Sequence, residues 1–308
     1  MKIAFLGTPD FALPSLNMLA EGGHTLGVFT QPDKPVGRHG APVPPPVKAE
    51  AQKRGIPVWQ FEKIRSTEGV AALREFAPEL MVTAAFGQLL SAENLAIPPY
   101  GCINVHASLL PKYRGAAPIQ WAVINGESIT GVTTMMTDIG LDTGDILMAW
   151  ETAIGEEETA GELFVRLAEL GAEVLKDTII ALENGTLTRT KQNESLATKC
   201  TMIKKEHGHI DFFSGAKRAH DLARGVNPWP GAYALCDGQL LKIWQTRRTG
   251  LPARGEPGLC TIAGAKEGLF VNCADELLEI LELQFPGAKR MSAKAALLGR
   301  PLLGKVLS

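Results

Sequence analysis

Through its first 190 residues the chain alternates apolar runs of strand length with amphipathic runs of helix length. Strand-like runs occupy residues 2–8, 24–31, 79–86 and 101–108, and helix-like runs fall at 11–20, 47–54, 71–76 and 118–124. Parallel neighbours in a sheet cannot be joined by a tight turn; each needs a crossover long enough to hold a helix. The alternation therefore predicts a doubly wound, Rossmann-like, mostly parallel sheet covered by helices. Two more apolar runs, 130–137 and 146–152, have no helix between them and are expected as a hairpin-like addition. A long helix should follow: Thr159 with Glu162 makes a capping box, Leu163, Leu167, Leu170 and Val174 share one face, and Asn184-Gly185 marks the stop. The run Pro42-Val43-Pro44-Pro45-Pro46 is expected to be extended and not helical.

After residue 186 the texture changes. Residues 186–208 are polar and poorly periodic, which places a linker at 190–208 between a first domain at 1–189 and a second at 209–308. A short strand at 209–213 and a helix at 216–224 precede several short strand-like runs. Asp237-Gly238 stands between two of them, 233–236 and 240–244, a strong hairpin signal. Such a series within about 100 residues suggests a small OB-like β-barrel, a type common in nucleic-acid binding.

Charge divides the same way. Residues 1–190 hold 14 Lys and Arg against 22 Asp and Glu, a net −8; residues 191–308 hold 17 against 11, a net +6. An acidic front and a basic rear fit a catalytic domain joined to one that holds a polyanion. Lys199, Lys204, Lys205, Lys217, Arg218, Arg224, Lys242, Arg247 and Arg248 are the candidates for phosphate contact.

Several classes are disfavoured. The apolar start is cut by Pro9 and Asp10, too soon for a signal-peptide core, and no run reaches the roughly 18 apolar residues of a membrane span. The five cysteines are odd in number and never spaced C-x-x-C, so reduced thiols in a cytoplasmic protein are expected. The first strand ends in Gly7-Thr8-Pro9, without the glycines of a dinucleotide fingerprint and with a proline where a phosphate-binding N–H is needed. There is no P-loop.

The chemistry points to one strand. Buried parallel strands are usually apolar throughout, yet Cys102-Ile103-Asn104-Val105-His106-Ala107-Ser108 carries two polar side chains. Asn104 and His106 are two apart, so they share a face, near the carboxyl end where open sheets place their ligands. Leu141-Asp142-Thr143-Gly144-Asp145 could bring a carboxylate beside the histidine. A hydrogen-bonded Asn–His pair and a solvated turn are the structural alternatives. Ser108 is the nearest hydroxyl but has no separate base, which favours direct transfer between two substrates over a covalent intermediate. Asn104 can hold an oxyanion, His106 can move a proton, and Asp142 can orient the imidazole, a set suited to acyl transfer to an amine. No cluster has metal-ligand spacing, so no metal is expected.

These residues lie within longer stretches. Asn104-Val105-His106, then Ser108-Leu109-Leu110-Pro111-Lys112-Tyr113-Arg114-Gly115-Ala116-Ala117-Pro118-Ile119, and Gly140-Leu141-Asp142-Thr143-Gly144 resemble the folate-dependent formyltransferase family. Gly7-Thr8-Pro9-Asp10-Phe11-Ala12, Phe29-Thr30-Gln31-Pro32-Asp33-Lys34-Pro35, Asn227-Pro228-Trp229-Pro230-Gly231-Ala232 and Lys289-Arg290-Met291-Ser292 resemble the branch that acts on methionyl-tRNA. The resemblance implies formyl transfer from 10-formyltetrahydrofolate to initiator methionyl-tRNA by a monomer, with Asn104, His106 and Asp142 as the catalytic set. It further implies a folate site lined by Ser108, Leu109, Leu110 and Pro111, with Phe86, Gly87, Gln88 and Leu89 and Asp138, Ile139, Gly140 and Leu141 as further walls. Arg38 matches the arginine of a loop that enters the acceptor end of the tRNA. His39-Gly40-Ala41 and Met202 depart from a pattern that is usually more basic. Formylation of a small amine (an amino sugar or glycinamide ribonucleotide) is the alternative within the family, and a non-catalytic folate- or RNA-binding module is the alternative outside it.

Overall fold

The computed structural model describes residues 1–35 and 40–308. The chain divides into two compact units: Met1–Gly115 with Thr130–Thr152 and Phe164–Lys199, and Ala116–Ile129 with Ala153–Leu163 and Cys200–Ser308. No described helix is long and apolar enough to cross a membrane.

The first unit is built on a seven-stranded sheet of β1 (Lys2–Gly7), β2 (Thr25–Thr30), β3 (Val58–Gln60), β4 (Leu80–Ala84), β5 (Cys102–His106), β6 (Ile129–Met136) and β7 (Ile146–Ala153), in the order β7-β6-β5-β4-β1-β2-β3. The five strands from β5 to β3 are parallel, and β6 runs antiparallel to β5. This is the expected Rossmann-like sheet with its added pair. The chain lays down β2 and β3 on one side of β1, then returns to β4 on the other. The order reverses there, and open sheets of this kind place their ligands at such a reversal, beyond the carboxyl ends of the strands.

The helices are α1 (Leu13–Glu21), α2 (Pro46–Lys53), α3 (Thr67–Phe76), α4 (Ala92–Leu95), α5 (Pro118–Ile124) and α6 (Ala160–Glu183). The capping box at α6 forms: Thr159 N–H donates to Glu162 Oε2 at 2.8 Å, and Glu162 N–H to Thr159 Oγ1 at 3.2 Å. Within the first unit α6 packs closely on β5, where Gly171 leaves room for Val105 and a Cβ would stand 2.9 Å from its Cγ1. Helix α3 starts at Thr67, earlier than the apolar pattern, because Ser66 caps it by accepting from Gly69 N–H at 3.2 Å. The proline run is extended only as far as Pro45. Pro46 is the first residue of α2, where its missing N–H costs nothing.

The second unit contains α7 (Ala216–Gly225) and the antiparallel strands β8 (Ala232–Cys236), β9 (Gln239–Pro252), β10 (Cys260–Gly264), β11 (Gly268–Asn272) and β12 (Glu276–Gln284), in the order β8-β9-β12-β11-β10. Asp237 and Gly238 turn the β8–β9 hairpin with φ of 49° and 74°, the positive pair such a turn needs. Register shifts around Gln245 bend β9. The final residues close the barrel: Leu307 bridges Cys236 of β8, and Val306 bridges Leu259 beside β10. Leu235 and Ser308 exchange backbone hydrogen bonds of 2.6 and 2.9 Å. The OB-like expectation thus stands, with a closing strand too short to show as a pattern. The expected strand at 209–213 does not form. Asp211 Oδ1 accepts from Phe213 N–H at 2.9 Å and turns Phe212–Ser214 into a 3-10 helix. α5 and α7 pack together, and a Cβ at Gly225 would collide with Ile124.

Candidate active site

Asn104 and His106 lie at the carboxyl end of β5, half-buried and buried. Register sets Thr83 of β4 opposite Asn104, and the Thr83 hydroxyl donates to Asn104 Oδ1 at 2.8 Å. Pinning the oxygen leaves the amide nitrogen, which has no hydrogen bond among the described residues, as the end of the side chain able to donate. His106 Nε2 lies 3.0 Å from the Tyr113 carbonyl oxygen, which only accepts. Nε2 therefore carries the proton in the neutral ring, and Nδ1 keeps its lone pair.

Nδ1 faces Asp142 Oδ2 at 3.8 Å. The same oxygen accepts from Gly115 N–H at 2.8 Å. Asp142 sits on the turn between β6 and β7 with φ of 53°, in the left-handed region. Gly144 is required there, since a Cβ would collide with the Met136 carbonyl. The three residues that sequence pattern singled out thus converge, and two of them form a pair across 36 positions. Ser108 Oγ donates to the Lys112 carbonyl at 2.7 Å and is buried, so it is committed to the loop. Thr133 Oγ1 accepts from Leu110 N–H at 3.1 Å and donates to the Ser108 carbonyl at 2.7 Å, which fixes the loop that includes Leu109 and the cis peptide before Pro111. Cys102 stands at the start of β5, and burial pushes its thiol up to about 12.

The other expected wall residues divide by what their side chains do. Phe86 is buried, and its carbonyl accepts from Thr8 Oγ1 and Gln31 Nε2, both at 3.0 Å. Gln88 is spent on the scaffold, accepting from Ile64 N–H and donating to the Phe61 carbonyl. Gly87 has φ of 75°. Asp138 folds its own turn, accepting from Gly140 N–H at 3.0 Å and from Thr143 Oγ1 at 2.8 Å. Leu89, Ile139 and Leu141 instead expose large apolar side chains, the kind of surface a ring system covers. A groove of about 790 Å³ between α1 and α6 holds none of the polar side chains above.

Sequence pattern gave no role to Thr83, Gly115 or Gln192. Gln192 Nε2 donates to the carbonyls of Asp142 and Gly144, from a segment that reads as linker. Of the basic residues, Lys204 and Lys205 are exposed. Arg247 and Arg248 are consecutive in β9 and pair with different acids, Glu279 at 2.5 Å and Glu276 at 2.8 Å. Arg224 is buried with Asp221, bonded to the Gly155 and Glu158 carbonyls, and is unavailable to phosphate. Arg38 lies outside the described residues.

The family model described as Formyl transferase matches residues 1–179, and the one described as Formyl transferase, C-terminal domain, matches residues 202–301. The chain belongs to the formyltransferase family. Among its relatives is a methionyl-tRNA formyltransferase of Ruminiclostridium cellulolyticum, 48% identical over 98% of this chain and 97% of that protein. Another, from Geobacter metallireducens, is 49% identical over 97% of this chain and 96% of its own. Among solved structures, an N-formyltransferase from Helicobacter canadensis, in complex with folinic acid and dTDP-3-aminofucose, shares the fold. It has a TM-score of 0.70 and 20% identity, over 94% of this chain and all of that one.

Proposed function

We propose that this formyltransferase moves the formyl group of 10-formyltetrahydrofolate to the α-amino group of methionine on initiator tRNA, giving N-formylmethionyl-tRNA for translation initiation. The observation that carries this is the identity of 48–49% with methionyl-tRNA formyltransferases, which runs through both domains and nearly the full length of each chain. In this reading residues 1–189 hold the chemistry, 190–208 join the domains, and 209–308 hold tRNA. Lys205 offers an exposed charge, Lys204 lies 4.0 Å from Glu206, Arg247 and Arg248 share theirs with glutamates, and Arg38 approaches the acceptor end. We place the protein in the cytoplasm, as a monomer.

Both substrates bind before reaction, because the hydroxyls of Ser108 and Thr83 are engaged, with the Lys112 carbonyl and with Asn104 Oδ1. The amine attacks the formyl carbon and the carbonyl electrons move to oxygen. The Asn104 amide nitrogen, aimed by Thr83, donates to that oxyanion. His106 Nδ1, holding a lone pair, takes the proton the amine loses. The imidazolium so formed gains Asp142 as a partner, and its charge favours the oxyanion. When the oxyanion collapses, the bond from carbon to N10 breaks and His106 returns the proton to N10. One carbon–nitrogen bond forms, one breaks, and the enzyme ends as it began.

The test is a formylation assay with 10-formyltetrahydrofolate and either methionyl initiator tRNA or small amines. Rapid formylation of the tRNA is expected, with an amino sugar and glycinamide ribonucleotide left unchanged. Preferential formylation of either small amine, or no transfer to any acceptor, would overturn the assignment.

A further inference from the structure

The segment that sequence pattern reads as linker reaches into the Asp142 turn. Gln192 Nε2 donates to the main-chain carbonyls of Asp142 at 2.8 Å and Gly144 at 2.7 Å, so both amide hydrogens are used. Gln192 Oε1 accepts from Arg114 Nε at 2.9 Å. Arg114 is 2% exposed, and its remaining nitrogens grip the Glu194 carboxylate at 2.9 and 2.7 Å. A guanidinium has only donors and a carbonyl only accepts, so the glutamine has one permitted orientation, set from Glu194 inward.

The turn needs such a brace. Asp142 holds φ of 53°, a region sparsely populated by residues with a Cβ. Rotation out of it would swing the carboxylate away from Gly115 N–H and His106 Nδ1. We propose that Gln192, oriented by the Arg114–Glu194 pair, is a positioning residue for formyl transfer: it clamps the turn so that the Asp142 carboxylate stays on His106. The inference rests on Asp142 acting in catalysis, as proposed above. It also makes part of the joining segment a support of the active site.

The experiment compares wild type, Gln192→Met, Asp142→Asn and the double variant in single-turnover formylation, with KM for each substrate. Met keeps the length of the side chain and removes both donors together with the oxygen that accepts from Arg114 Nε. Gln192→Met should lower kcat about 10-fold, given two lost hydrogen bonds to a strained turn, with each KM within about threefold. Added to Asp142→Asn it should cost less than about twofold more, because the clamp then has no carboxylate to position. Penalties that multiply, or a loss confined to KM for tRNA, would overturn the proposal. Unimpaired Asp142→Asn would overturn the underlying reading instead, whereas unimpaired Gln192→Met beside a crippled Asp142→Asn would sink the clamp alone. Should Gln192→Met fail to fold, Glu194→Gln tests the same chain from an exposed position. It should lower kcat about threefold at unchanged Tm, through one weakened charged hydrogen bond, and an unchanged kcat counts against the clamp.

Discussion

Replacing Asp142 by asparagine isolates one charge. The side chain keeps its size, and its oxygen can still accept from Gly115 N–H, the 2.8 Å contact that Asp142 makes. Oδ2 is also the atom that faces His106 Nδ1 at 3.8 Å, so an asparagine oxygen held by Gly115 N–H stays there without its charge. With Nε2–H committed to Tyr113, a proton taken up at Nδ1 then meets a neutral oxygen in place of a carboxylate. The lost attraction can be bounded. Unit charges 3.8 Å apart interact by about 1 kcal/mol in water and about 4 kcal/mol at the effective dielectric of a protein site. The His106 and Asp142 side chains are 6% and 16% exposed, which places the pair toward the upper figure. At 1.4 kcal/mol per tenfold, the expected fall in kcat/KM is about 100- to 1,000-fold. Single-turnover formylation of methionyl-tRNA measures it, with a thermal melt alongside to verify folding. A folded variant within about fivefold of wild type would refute the role of Asp142 as the partner of a protonated His106.

Asn104→Ala and His106→Ala should each lower kcat/KM by roughly 100-fold or more, and near-wild-type turnover in a folded variant would remove that residue from the mechanism. Leu307→Ala, at the 2%-exposed residue that closes the barrel, should destabilise the second unit by about 2–5 kcal/mol; an unchanged denaturation midpoint would show that closure contributes little. Burial pushes the thiols of Cys102, Cys260 and Cys273 up to about 12. Groups raised in this way stabilise the folded state below their ordinary value of about 8.5, and the contribution is lost as pH climbs toward the raised value, so at pH 8 these thiols should resist a disulfide reagent until the chain unfolds. Removing Lys205 should lower the slope of log affinity against log salt for tRNA by about 0.7–0.9, whereas removing Lys204, Arg247 or Arg248, each already beside a glutamate, should lower it less.

Local periodicity determines a good deal here. The alternation of strand and helix specified a mostly parallel sheet, because crossover length is a property of consecutive residues. The two-residue spacing of Asn104 and His106 put them on one face for the same reason. Asp237-Gly238 specified its hairpin through backbone preference alone. The place of the candidate site was legible too, since two polar residues inside a buried strand demand a partner or a task.

Tertiary structure decided the rest. That Asp142 reaches His106, that Gly115 N–H and Gln192 hold it there, and that Tyr113 selects the imidazole tautomer depend on how loops close over the sheet, which no repeat in the sequence encodes. Arg247, Arg248 and Arg224 read alike as surface cations, yet acids distant in sequence pair the first two, and burial removes the third. The last residues show no strand-length run, yet they close a barrel. Periodicity reports what a segment does with its own neighbours; which distant donor, acid or strand it meets is settled only when the chain has packed.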